Sequence, residues 1–146
     1  MTQYTKMKAL SVRQPWAYSI LFGGKTHENR DWPTRVRGTI ALHAGKEMSK
    51  YDFEAWYLFL SHEELHGDWS QNGRAALAPR GGVVGLVDII DCTTGSDSLW
   101  FTGQFGFALA NPRPLPEHTP LIRCSGKLGF FDLPEDVLHQ IRMLLP

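Results

Sequence analysis

An α+β fold, a small closed or nearly closed β-barrel with helices over its openings, is what this sequence predicts. Three observations carry the expectation: several short apolar runs bounded by glycine or proline, a few segments of helical period between them, and no internal repeat or strict β-α-β alternation. With 146 residues, 42% of them hydrophobic, the chain can bury one real core but not two, so residues 1–146 are read as a single domain.

Met7 to Val12 reads as a short strand. Gln14-Pro15 then introduces the apolar run Trp16 to Phe22, a helix with proline at its first position, where the missing N–H is no loss. Gly23-Gly24 ends it. Thr26 to Arg30 is polar but alternates, and Gly38 and Gly45 bound a cleaner strand, TIALHA. Ser49 can cap a helix in which Phe53, Trp56, Tyr57 and Leu60 recur at three-to-four spacing. From Ser61 to Arg80 the pattern gives way to His, Glu, Asp, Asn and Gly, a surface excursion with partial helix. The β-branched run from Gly82 to Ile90 suits a central strand, and Phe105 to Asn111 and Lys127 to Asp132 supply two more. Between them the Pro-rich NPRPLPEHTP is expected to be an extended connector without regular structure. Leu133-Pro134-Glu135 opens a last helix with Val137, Leu138, Ile141, Leu144 and Leu145 on its apolar side.

No apolar run approaches the roughly 20 residues that span a bilayer, and MTQYTKMKALSV has no long apolar stretch with a cleavage site. The expectation is a cytoplasmic protein with no membrane partner. Cys92 and Cys124 show no Cys-x-x-Cys spacing and read as reduced thiols; His62 and His66, four residues apart, read as helical surface. Neither a metal nor a cofactor is expected. The 15 basic side chains balance 15 acidic ones, which argues against an indiscriminate polyelectrolyte binder. Their spread is uneven: residues 1–50 hold nine basic against three acidic, and residues 51–100 two against eight. The basic segment either meets an anionic partner or is neutralised in space by the acidic one.

The segment SVRQPWAYSILFGGKTHENRDW concentrates polar groups of both signs. Leu10-Ser11, Gln14-Pro15-Trp16-Ala17, Gly24-Lys25 with Glu28 and Arg30, Trp32, Thr34, and Arg37-Gly38 leading into Ala41 to Lys46 together resemble the ASCH domain (activating signal cointegrator homology), a branch of the PUA-like barrels. Gly82 to Cys92, Ala108 to Leu115 and Gly126 to Pro134 resemble its later strands, which leaves residues 47–81 and 93–104 as unmatched loops. The resemblance implies a small PUA-like β-barrel with flanking helices, and a cleft where the Gly-x-Lys-x-x-Glu-x-Arg segment meets the helix opened by Gln-Pro-Trp. It also implies binding of RNA or DNA, or, as in one compact bacterial branch, hydrolysis of acylated cytidine.

Read as a strand, Lys25 to Arg30 places Thr26, Glu28 and Arg30 on one face and Lys25, His27 and Asn29 on the other. A carboxylate fixed by a guanidinium accepts a base's amino or imino protons, and Lys25 can meet phosphate. The plain alternative is an ion pair that closes the barrel. Trp16 and Trp32 can stack on bases, at about 1–3 kcal/mol per base, or serve as core, Trp16 being read mostly as core with its ring as one wall of the cleft. Arg13 and Gln14 stand at a helix start, where free N–H groups favour an anion. Arg37 and Lys46 complete a basic rim or are solvated surface. The ligand-binding expectation thus rests on these nine residues, with RNA or DNA, single-stranded or with a flipped base, as partner.

A hydrolase acting on RNA or on an acylated nucleoside is the alternative, with Lys25, Glu28 and His43 as its candidate catalytic groups. The hydrolytic branch is similar to a pattern with Thr three residues after the Lys; here that residue is Glu28, and the loop TTGSDS offers only Asp97 as an acid. RNA cleavage by Lys25 and His43 without a metal stays open, as does a purely structural His43. A protein-interaction role would draw on the acidic, aromatic segment Tyr51 to Trp69.

Overall fold

Strands that are apolar on both faces take the middle of a sheet, and that rule orders this molecule. The computed structural model describes residues 4–63 and 72–146. Its strands are β1 (Lys8–Val12), β2 (His27–Arg30), β3 (Gly38–Ala44), β4 (Gly82–Thr93), β5 (Phe105–Pro114), β6 (Ile122–Arg123) and β7 (Phe130–Asp132). The helices are α1 (Trp16–Phe22), α2 (Lys50–His62), α3 (Asn72–Ala76) and α4 (Glu135–Leu144). The sheet runs β2-β5-β4-β3-β1-β7, with β6 paired to the start of β4. Among the described residues only β1 and β3 pair in parallel, a relation that needs a crossover, which the chain makes through α1 and β2.

β4 feeds two cores. Val84, Val87 and Ile89 join Leu10, Val12, Ile20, Leu42 and Phe107 beneath α1. Val83 and Leu86 join Ala9, Ala41, Ile122 and Phe131 beneath Val137, Leu138 and Ile141 of α4. Burial on both faces is why this strand reads as one continuous apolar run.

Aromatic rings show how far the sheet curls. Three strands separate β5 from β7, yet Phe107 and Phe130 stack with centroids 5.9 Å apart, and Trp32 packs edge-on against both, at 5.3 and 5.8 Å. Among the described residues no backbone ladder joins the edge strands β2 and β7. The result is an α+β half-barrel whose seam is filled by side chains.

Four boundaries differ from expectation. Pro15 is the residue before α1 rather than its first, and the Gln14–Pro15 bond is cis. The Asn111-Pro112-Arg113-Pro114 stretch, expected to lack regular structure, belongs to β5. Past Ala108 the partner β2 has ended, so one edge of β5 is open and prolines with no N–H are tolerated there. The last strand is only Phe130–Asp132, because residues 124–129 form a loop, and the two-residue β6 carries too little pattern to be seen. Ser49 does cap α2: its hydroxyl accepts from Asp52 N–H, and the Asp52 carboxylate accepts from Ser49 N–H, a reciprocal cap whose loss costs about 1 kcal/mol.

Candidate functional site

A cavity of about 1000 Å³ opens between the start of α1, β2 and the loop that precedes β7. Lys25 is part of its lining. After α1 the chain turns back through Gly24, whose φ of 71° suits glycine, and Ser19 O accepts from both Gly23 N–H and Lys25 N–H. Lys25 therefore stands ahead of β2, outside its alternation, and shares the cavity with Glu28 and Arg30 instead of facing away from them. It is 6% exposed, with Nζ 5.0 Å from the Trp16 ring centroid and 5.4 Å from that of Trp100. Among the described residues its ammonium has no hydrogen-bond or ion-pair partner. Burial pushes its pKa below the usual 10.5; Glu28 opposes that shift and Arg30 adds to it.

Glu28 and Arg30 form the ion pair read from the sequence. Oε2 of Glu28 accepts from Nε and Nη2 of Arg30, at 3.1 and 3.0 Å, and Nη2 also donates to Ser11 O at 2.8 Å. Arg30 thus ties β2 to β1 across the curl while leaving Glu28 Oε1 available for a further donor. Asn29 has another task. Its Nδ2 donates to Trp100 O at 2.9 Å, and its Oδ1 accepts from Thr102 N–H and Gly103 N–H at 2.9 and 3.2 Å. With Thr26 Oγ1 2.6 Å from Ser98 Oγ, β2 clamps the loop that carries Trp100 over Lys25. Trp100 also packs on Phe59 of α2, another ring of the cavity wall, at 5.2 Å between centroids.

His43, on β3, lies on the cavity wall with Ser11. Ser11 Oγ is 3.0 Å from Nδ1 and Cys124 O is 2.7 Å from Nε2. Burial lowers the His43 pKa from 6.5, against the raising effect of the Cys124 carbonyl, and burial also lowers that of His27, with Lys25 adding to it. A histidine whose folded value is depressed contributes stability that is fully present above 6.5 and lost as pH falls from there through the folded value. Thermal melting should accordingly be flat near pH 7 and 8 and drop on acidification below 6.5. His43→Gln should blunt that drop, and an unchanged slope would contradict the assignment to His43.

The rim is cationic but partly compensated. Arg13 donates to Asp52 at 3.1 Å and lies 3.9 Å from Glu47, so part of the N-terminal positive charge is neutralised by the acidic segment. Lys46 and Lys127 are exposed at the rim. Of the sequence-derived residues, Arg13, Trp16, Lys25, Glu28, Arg30, His43 and Lys46 line the cavity; Gln14, Trp32 and Arg37 do not. Gln14 is buried with both ends engaged: Nε2 donates to Pro79 O and Oε1 accepts from Tyr18 N–H. Trp32 sits on the aromatic seam. Arg37 donates to the carbonyls of Thr34 and Val36 and lies 3.7 Å from Asp91. Sequence reasoning missed Ser11, Asn29, Phe59, Trp100 and Lys127. Gly126 beside Lys127 belonged to a recognisable stretch, whereas Trp100 lay in a loop that nothing local ties to Lys25.

A curled α+β sheet with a cationic, aromatic-walled cleft defines a PUA-like protein. A family model described as the ASCH domain matches residues 10–103, and the chain belongs to that family. No curated protein matches the chain. The matched span holds Lys25, Glu28, Arg30, His43 and Trp100 but ends before β5 and the loop at 124–129.

Among the described residues no helix is long and apolar enough to cross a membrane, and no group of three His, Cys, Asp or Glu could hold a metal ion. His62 to His66 spells His-Glu-Glu-Leu-His, which has the His-Glu-x-x-His order of a zinc motif, but His66 lies outside the described residues, as does part of Tyr51 to Trp69.

Proposed function

We propose that this chain is a nucleic-acid-binding module that holds one nucleotide of single-stranded RNA in the Lys25 cavity. Membership of the ASCH family supports an RNA-binding role in general. The observation that carries the finer reading is the Lys25 ammonium, which lies against two indoles, lines the cavity and has no hydrogen-bond or ion-pair partner among the described residues, with Glu28 acting on it only at longer range. A desolvated ammonium is an expensive thing for a fold to keep, and an arriving anion supplies what it lacks. Phosphate or a base carbonyl meets Lys25, Glu28 Oε1 accepts from a base amino or imino group, and Trp16 and Trp100 wall the site. Arg13, Lys46 and Lys127 at the rim track the neighbouring phosphates.

Fluorescence anisotropy of labelled single-stranded RNA, single-stranded DNA and duplex DNA tests this at low and near-physiological salt. Single-stranded RNA should bind tightest, with a log–log salt slope corresponding to a few phosphates. Equal affinity for all three, or none, would remove the cleft reading.

A further inference from the structure

We propose that Ser11 is a nucleophile with His43 as its general base, and that the cavity hydrolyses carboxylic esters of phosphate-bearing alcohols. Ser11 and His43 stand in register across the parallel pair of β1 and β3, with Oγ 3.0 Å from Nδ1. On the other side of the ring, Nε2 lies 2.7 Å from the Cys124 carbonyl oxygen. A carbonyl only accepts, so Nε2 carries the hydrogen and Nδ1 turns a lone pair towards the Ser11 hydroxyl. A hydroxyl, an imidazole and an acceptor that fixes the tautomer are the parts of an activated serine, here with a peptide carbonyl as the third member.

Two further observations separate this site from an ordinary cross-strand hydrogen bond. The first is space. A Cβ at Gly126 would come within 2.8 Å of His43 Cε1 and 3.3 Å of Ser11 Oγ, so glycine there keeps a side chain off the pair on the cavity wall, while one at Gly45 would only touch Ser11 Oγ, at 3.4 Å. The second is charge: Arg30 Nη2 donates to the Ser11 carbonyl, and Lys25 faces the same cavity. Burial also keeps His43 in its neutral, basic form. The phosphate on the substrate rests on the anion-binding reading above; the reactive serine does not.

In the reaction Ser11 Oγ bonds to the ester carbonyl carbon as His43 Nδ1 takes the hydroxyl proton. The tetrahedral intermediate collapses, the bond to the alcohol oxygen breaks, and His43 returns the proton to that leaving oxygen. Water then attacks the acyl-serine, His43 takes its proton and passes it to Ser11 Oγ, and the acid leaves. Nothing is oxidised or reduced, and the only co-reactant is water.

The test uses the intact chain with a fluorophosphonate probe, which caps reactive serines, followed by peptide mass spectrometry. The adduct should fall on Ser11, be absent in Ser11→Ala, and form at least 100-fold more slowly in His43→Gln. Because that variant can lose its fold, the pH profile of labelling in the unaltered protein serves as a second readout. The rate should fall as pH drops through the His43 value. No adduct on Ser11, or one whose rate ignores both His43 and pH, overturns the proposal. For the substrate class, 2′(3′)-O-acetyl-AMP should be hydrolysed at least tenfold faster than O-acetyladenosine, and equal rates refute the phosphate requirement. A chain that binds RNA yet is never labelled refutes the nucleophile and leaves the binding reading standing. A chain labelled at Ser11 that binds no RNA does the reverse.

Discussion

Lys25→Met should raise the melting temperature of the protein while weakening its binding of single-stranded RNA by about 10- to 100-fold. The two signs come from one fact. In the free protein burial strips most of the water from the ammonium, no ion pair forms with it among the described residues, and the pull of Glu28 with two cation–π contacts, worth about 0.5–2 kcal/mol each, only partly offsets the desolvation. Methionine keeps the apolar stem against Trp16 and Trp100 and removes the charge, so the fold gains. The ligand loses a charge-assisted hydrogen bond, worth about 1.5–3 kcal/mol, and the salt slope falls by about one. Alkaline pH should mimic the substitution. Burial has lowered the Lys25 pKa from 10.5, so affinity should decline as pH rises through that lowered value, before ordinary lysines lose their protons, and the variant should show no such decline. Unchanged affinity in Lys25→Met, measured beside an unchanged melting curve, would place the anion elsewhere.

Much of this is legible in the sequence. Gly23-Gly24, the alternation in Thr26 to Arg30 and the apolar run of β4 specify local geometry, and each appears where its pattern put it. The Glu28–Arg30 pair was legible for the same reason: residues two apart on a strand share a face. What the sequence hid was tertiary. Lys25 joins that face only because it precedes the strand, and its second indole comes from a loop 75 residues later that Asn29 holds in place. Gln14, a polar residue at a helix start, looked like a ligand contact, but its partners are Pro79 and Tyr18, and no local pattern reveals a partner 65 residues away. The Ser11–His43 pair was hidden because a parallel register between β1 and β3 cannot be read from either strand alone.

Phe107→Ala should cost about 3–5 kcal/mol, the range for truncating a fully buried aromatic side chain. The Phe107 ring stacks on Phe130 and meets Trp32 edge to face, so it is the inner member of the cluster that fills the seam where, among the described residues, no ladder closes the barrel. A cavity there cannot collapse easily, because β5 is fixed on one side by β4 and on the other by β2. Against a total stability of roughly 5–15 kcal/mol, the loss leaves a marginal domain. Phe107→Leu should lose much less. Phe107 also stands directly opposite Glu28 in the β2–β5 register, so loosening it should disturb the Glu28–Arg30 pair and weaken RNA binding at temperatures where the protein is still folded. Urea unfolding followed by Trp fluorescence gives the first number, and anisotropy at a temperature well below the transition gives the second. A loss under about 1 kcal/mol would mean that the seam is held by something other than these rings. A full loss with binding intact would mean that the cavity keeps its geometry independently of the barrel's closure.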